Sequence, residues 1–245
     1  MDVDRERLHG VDFSGRHFSS VRASGAAFVG NDFTETGFDE LSLGLSTSRQ
    51  TAFRDCVFRR TRFPPFAFFG NVRFERCVFD RSRLSGQVDT QLAEFVDCVF
   101  TGRMRDINFW GRAHPSEGRR ANAFTGNDFT GAELDGVAFH DIDLRAQRFP
   151  GLPGYALIDR VADRVRATLP LVERWPDERH RDEARRSLEF LAAYRGDEAL
   201  VTPRDLGRKL PPALREELFE AIRRRSSDTS PDPGAPPREP DPEAP

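Results

Sequence analysis

The residues best equipped for chemistry are three cysteines, Cys56, Cys77 and Cys98, set in FRDCVF, FERCVF and FVDCVF at intervals of 21 residues. Thiolates bind metal only when ligands converge on one point, and they attack electrophiles only when a base or a helix terminus lowers the thiol pKa. A constant spacing lays the three side chains in a row, each two positions before a phenylalanine (Phe58, Phe79, Phe100), which predicts one inward column of structural thiols. The histidines, His9, His17, His114, His140 and His180, fall at no metal-ligand or catalytic spacing. No phosphate-binding glycine loop, nucleophile elbow or zinc signature is present. The expectation is a non-enzymatic protein, with no catalytic, metal-binding or cofactor-binding residues and no cofactor.

The elements that would hold such a row are written in the phenylalanines, of which the chain has 22 against 2 Tyr and 2 Trp. Phe13, Phe18, Phe28, Phe33, Phe38, Phe53, Phe58, Phe63 and Phe68 share one register of five, joined by Leu43. After a one-residue insertion the series resumes at Phe74, Phe79 and Leu84, then at Phe95 and Phe100, then at Met104, Phe109, Phe124, Phe129, Leu134, Phe139 and Leu144. A period of five suits neither a helix nor an ordinary strand, so it signals a repeat architecture.

NDFTG, AELDG, VAFHD and IDLRA, at 127–146, are four consecutive units of small residue, Asp or Asn, central Leu or Phe, and two polar residues. They resemble the pentapeptide-repeat family, and the likeness runs over residues 6–148. The resemblance implies a mainly β fold, a right-handed four-sided β-helix in which four pentads make a coil, with about six to seven coils. It also implies that Asp12, Asp32, Asp128 and Asp143, each before a central residue, stabilise turns through backbone hydrogen bonds. On that geometry the first side reads Phe13, Phe33, Phe53, Phe74, Phe95, Phe124 and Leu144, and the second Phe18, Phe38, Phe58, Phe79, Phe100 and Phe129. The third reads Ala23, Leu43, Phe63, Leu84, Met104 and Leu134, and the fourth Phe28, Ser48, Phe68, a position near Thr90, Phe109 and Phe139. Ser48 and the stretch 85–91 mark irregular corners, and WGRAHPSEGRRAN, 110–122, reads as a surface loop inserted in the solenoid.

With a net charge of −3 the chain is not a globally basic nucleic-acid binder. Residues 54–83 nevertheless hold eight Arg against Asp55, Glu75 and Asp80, so the middle of the repeat region is basic. The candidate interaction surface is therefore Arg59, Arg60 and Arg81, with Arg112, His114, Arg119 and Arg120 in the loop. The functional expectation is a protein-interaction scaffold of unknown partner. The resemblance also admits an alternative, binding and protection of a type II topoisomerase such as DNA gyrase, as in quinolone-resistance relatives, by DNA mimicry or through the loop. Mimicry needs rows of uncompensated acidic side chains, which a basic middle opposes. Direct nucleic-acid binding is not expected either, because the arginines are expected to have no exposed aromatic residues beside them.

Beyond Pro150 the period of five stops, and helical spacing predicts a module over 152–225 that caps the solenoid or forms a homodimer. Its helices are expected over 156–169, from Pro176 to a stop at Gly196, after Thr202–Pro203, and through PPALREELFEAIRRR. The tail 226–245, with seven Pro and five acids, has the composition of a disordered segment. No signal segment or membrane-spanning run is visible, and a cytoplasmic, membrane-free location is the expectation.

Overall fold

The computed structural model describes residues 1–84, 88–111, 121–151, 154–194 and 197–224. The sequence expectations for the 226–245 tail, and for Arg112, His114, Arg119 and Arg120, lie outside the described residues.

Among the described residues the chain is mainly β, with parallel sheets and three α-helices. Each short strand pairs with the strand one turn of chain later. One sheet stacks Asp2–Asp4, His17–Ser24, Gly37–Leu43 and Phe68–Phe69. Another stacks Val57–Arg59, Val78–Asp80, Val99–Arg105 and Asp128–Asp135. A six-stranded sheet runs through Arg7–His9, Ala27–Val29, Thr51–Arg54, Val72–Glu75, Ala93–Val96 and Phe124–Thr125. Asn108–Trp110 pairs with Ala138–His140. In-register pairing puts identical side chains above one another, so phenylalanine rings stack down the interior. Phe13, Phe33, Phe58, Phe79, Phe100, Phe129 and Phe149 form one pile, with successive centroids 5.0, 4.9, 4.9, 5.0, 4.7 and 5.6 Å apart. Phe28, Phe53, Phe74 and Phe95 form a second, at 4.4, 5.1 and 5.1 Å. No single turn of chain could bury its own rings; stacking buries them jointly.

All four expected columns are corrected here. Phe53 pairs with Phe28, not Phe33, Phe33 stacks on Phe58, not Phe53, Phe38 stacks on Phe63, not Phe58, and Leu43 pairs with Phe69, not Phe63. Residues 44–50 leave the ladder between Leu43, which pairs with Phe69, and Thr51, which pairs with Val72. Gly44, at φ +71°, lets the chain turn out where a Cβ would stand 2.4 Å from the Asn71 backbone, and Asn71 Nδ2 donates to the Ser46 carbonyl at 2.9 Å. The detour is close to one repeat unit long, so the phenylalanine register passes through it unchanged, and the sequence marks it only by the polar Ser48 at a central position. Phe69 rather than Phe68 is the fully buried centre of its strand. The extra residue therefore belongs before it, at Phe66, not after it. Phe149, outside the expected series, closes the first pile.

The C-terminal module is helical with one small sheet. A helix was expected from residue 156, but Ala156–Asp159 is a strand, antiparallel to Glu198–Val201. The four-residue spacing of Leu157, Val161 and Val165 misled, because Leu157 is exposed while its neighbour Ile158 is buried, and Arg160, at φ +47°, breaks the chain direction. Helix α1 (Val161–Val172) follows, then α2 (Glu178–Tyr194), a 3₁₀ turn at Pro203–Leu206, and α3 (Pro212–Arg223). Arg164, 5% exposed, holds the module together: Nη1 donates to the carbonyls of Ile222, Arg223 and Arg224 at the end of α3, and Nη2 pairs with Asp159.

The module sits on the last turn of the rod. Tyr155 Oη accepts from the Leu134 backbone N–H at 2.8 Å, satisfying a donor at the rod's edge. Leu200 packs into the rod's own core. Asp135, nearly buried, is met by Arg103 Nη2 at 3.0 Å and Arg105 Nε at 3.3 Å from the rod and by Arg204 from the module. Arg145 reaches Glu198 at 2.8 Å, and Arg208 pairs with Asp106. Among the described residues no helix is long and apolar enough to cross a membrane.

Candidate interaction surface

The cysteine row is where its spacing placed it, and its neighbours explain it. Cys56, Cys77 and Cys98 are fully buried, and each Sγ donates to a carbonyl one layer below: Phe28 at 3.6 Å, Phe53 at 3.4 Å and Phe74 at 3.4 Å. Asn31 and Asn127, two residues before Phe33 and Phe129, make the same bond to Leu8 at 3.3 Å and Phe95 at 2.9 Å. The thiols are thus members of a donor column that also uses amides. Hydrogen bonding with Cys77 and burial push the Cys56 thiol far up, and burial does the same for Cys77. Neutral donors are the species this column needs, and thiolate chemistry is suppressed.

Outside, the basic middle of the rod is organised in ladders. Arg76 makes a two-pronged bond to Asp55, at 2.8 and 3.0 Å, and also reaches Glu75. Arg54 meets Glu75 at 3.4 Å, and Arg73 meets Glu94 at 3.1 Å. The three arginines singled out from sequence are engaged in the same way. Arg59 Nε lies 3.0 Å and Arg81 Nε 3.3 Å from Asp80, and Arg60 Nε lies 2.9 Å from Glu35. One carboxylate therefore brings Arg59 and Arg81 together, while Arg60 turns to the preceding layer. Asp80 is held below the usual carboxylate range by the Thr101 hydroxyl at 2.6 Å, helped by Arg81 and Arg59. Asp55 is lowered by its bond to Arg76. Exposed pairs of this kind contribute little each, ~0–1 kcal/mol, but they neutralise the face they cover.

Two of the eight arginines are left over. Arg62 and Arg83 are Cα partners on adjacent layers, both exposed, with no ion pair or side-chain hydrogen bond among the described residues. The column continues through Gly37, the partner of Arg62, to His17, which bonds Asp39 at 3.0 Å. Four residues past Arg62 stands Phe66, 75% exposed at φ +63°. Pro64, Pro65, Phe66 and Ala67 form a turn closed by Ala67 N–H to the Pro64 carbonyl at 3.3 Å, with Phe66 at the position that favours glycine. Holding a bulky residue there costs roughly 1–2 kcal/mol. Sequence reading found the right coils and missed these residues. The available signal was that Arg62 and Arg83 each precede an inward centre, Phe63 and Leu84, 21 residues apart.

A cleft of about 550 Å³ lies where the module meets the rod, lined by Asn108, His140, Phe190, Arg186, Arg208 and Lys209 among others. Much of its charge is internally matched, Arg208 with Asp106 and Arg186 with Glu183 at 3.1 Å. His140 stacks on Trp110, with centroids 4.0 Å apart, and bonds Asn108 at 3.1 Å. Among the described residues no group of three or more His, Cys, Asp or Glu is arranged to hold a metal ion.

Comparison with known proteins adds little. No family model matches the chain, and no curated protein matches it. Among solved structures it is similar to forms of QnrB1, described as a plasmid-mediated fluoroquinolone resistance protein. One trypsin-treated form is 16% identical, covering 58% of this chain and 79% of that one, at a TM-score of 0.25. Another is 16% identical over 61% and 79%, at 0.20, and the full-length form 12% identical over 61% and 82%, at 0.19.

Proposed function

We propose that this protein is a non-enzymatic scaffold whose rod, a right-handed four-sided solenoid of the pentapeptide-repeat kind with six to seven coils, binds a protein partner on its outer face. The observation that carries this reading is the division of the chain's polar chemistry. The interior thiols and amides are spent on backbone carbonyls, and the charged side chains that remain accessible stand in regular layers on the outside. A rigid surface with side chains at fixed spacing is suited to recognition. The partner is a protein, the location is cytoplasmic, and no cofactor takes part. The division into rod, module and tail makes the C-terminal helices a cap, with pairing of two copies through them as a second use.

Crosslinking of the intact chain in a lysate of its source, followed by reciprocal capture with the purified partner, tests this reading. Saturable binding through rod residues is expected. Turnover of a substrate by the purified chain, or binding carried wholly by residues 152–225, overturns it. Topoisomerase binding by DNA mimicry has its own assay, gyrase supercoiling with and without a fluoroquinolone. Acidic residues neutralised by Arg59, Arg60, Arg76 and Arg81 do not present a phosphate-like row, so mimicry predicts an effect here that the scaffold reading does not. Inhibition or drug protection at micromolar protein would name gyrase as the partner, and its loss on deleting residues 112–120 would place the contact in that loop.

A further inference from the structure

Everywhere else in the basic band a guanidinium is answered by a carboxylate on its own or a nearby layer. At Arg62 and Arg83 two arginines are Cα partners one strand layer apart, about 4.8 Å, and neither guanidinium meets a carboxylate among the described residues. Like-charged residues at partnered positions do not stabilise each other. Gly37 makes room for one of them: a Cβ on that residue would stand 3.3 Å from Arg62 Nη2 and 2.9 Å from His17 Nδ1. The Arg62 head group therefore lies over a bare stretch of backbone, positioned but uncompensated.

Phe66 gains nothing inside the protein. A glycine takes a positive φ without strain, as at Gly15 (φ +67°), whereas Phe66 holds that conformation with three quarters of its surface, 75%, exposed. Two prolines before it fix the chain, so the ring is presented with little freedom to lose on binding.

We propose that Arg62, Arg83 and Phe66 form the docking point for an extended acidic segment of the protein partner, two of its carboxylates taking the two guanidiniums and an apolar pocket taking the ring. This assignment rests on the scaffold reading and names the chemistry of the partner. Charge chooses protein over nucleic acid. Asp39 and Glu40, both exposed, follow Gly37 on its strand, and Glu35 precedes it at the corner. A continuous phosphate backbone would run across them, whereas a peptide can place carboxylates singly.

The test is fluorescence anisotropy of the full chain with a fluorescein-labelled ten-residue peptide of alternating Glu and Leu, its Gln counterpart, and a single-stranded oligonucleotide. Saturable binding of the Glu peptide is expected, about tenfold weaker after Arg62→Glu with Arg83→Glu, with no comparable binding of the Gln peptide. Phe66→Gly should weaken binding several-fold while the protein melts at the same or a higher temperature, which separates lost contact from lost fold. Arg54→Gln, which removes an arginine already paired, should leave the affinity unchanged. Tighter binding of the oligonucleotide, indifference to the charge reversal, or no saturable peptide binding at millimolar concentration overturns the site. A partner that crosslinks to another face of the rod and survives Arg62→Glu with Arg83→Glu removes this site alone and leaves the scaffold reading standing.

Discussion

Truncating Phe79 to alanine tests the interior stack at its centre. Phe79 is 2% exposed, stacked 4.9 Å from Phe58 and 5.0 Å from Phe100, and edge-on to Phe74 at 5.4 Å and Phe95 at 6.2 Å. Phe→Ala at a buried site costs about 3–5 kcal/mol. The rings above and below are held by backbone ladders and cannot collapse into the gap, and each lost aromatic pair is worth about 0.5–1.5 kcal/mol beyond its area. Phe79→Ala should therefore fall in the upper half of the range, about 4–5 kcal/mol, lowering Tm by roughly 8–20 °C for a protein of this size. Phe13, which stacks only on Phe33 and meets Phe18 edge-on, provides the comparison. Phe13→Ala should cost clearly less, because a ring at the end of the pile loses one stacked neighbour instead of two. Urea melts followed by Trp110 fluorescence in a Trp175→Phe background report on the rod itself. A loss below about 1 kcal/mol at Phe79, or equal losses at the two positions, would refute the argument from stacking.

Other outcomes follow from the module and the donor column. Arg164→Ala should leave the carbonyls at the end of α3 unpaired, destabilising the module by about 3 kcal/mol or more while the rod persists; Trp175 emission against urea, with Trp110 replaced by Phe, reads it. In the native protein Cys56, Cys77 and Cys98 should not react with a thiol reagent at pH 8, and all three should react in denaturant; Cys77→Asn, which imitates Asn31 and Asn127, should be tolerated better than Cys77→Val, by urea melts of the two variants. Burial pushes the Asp135 carboxyl up, but Arg103 and Arg204 outweigh it and hold it below the usual range. A lowered folded pKa means its contribution is complete above the unfolded value, near 4, and is lost as pH falls through the folded value. Stability should therefore drop below about pH 4, and Asp135→Asn should flatten that acid limb; an unchanged limb would show that the rod–module contact does not depend on this charge.

How much was legible depends on the range of the interaction that decides each feature. The five-residue spacing of phenylalanines, the inward row of Cys56, Cys77 and Cys98, the helix Glu178–Tyr194 and the capped start of a short helix at Thr202–Pro203 are local or strictly periodic, and a sequence records both. Which phenylalanine lies above which is not local. A detour at 44–50 close to one repeat long preserves the phase while shifting every later layer, so Phe33 meets Phe58 only in three dimensions. The strand at Ala156–Asp159 exists because Glu198–Val201 comes alongside it, a pairing between residues some forty positions apart. Charge followed the same rule. Composition located the basic middle of the rod, yet the layer register decided that Arg59 and Arg81 would share Asp80, that Arg60 would pair with Glu35, and that Arg62 and Arg83 would be left without a carboxylate. Periodicity determined the kind of rod; the stacking of its layers, which sums contacts between residues twenty or more positions apart, decided which of its charges remain available.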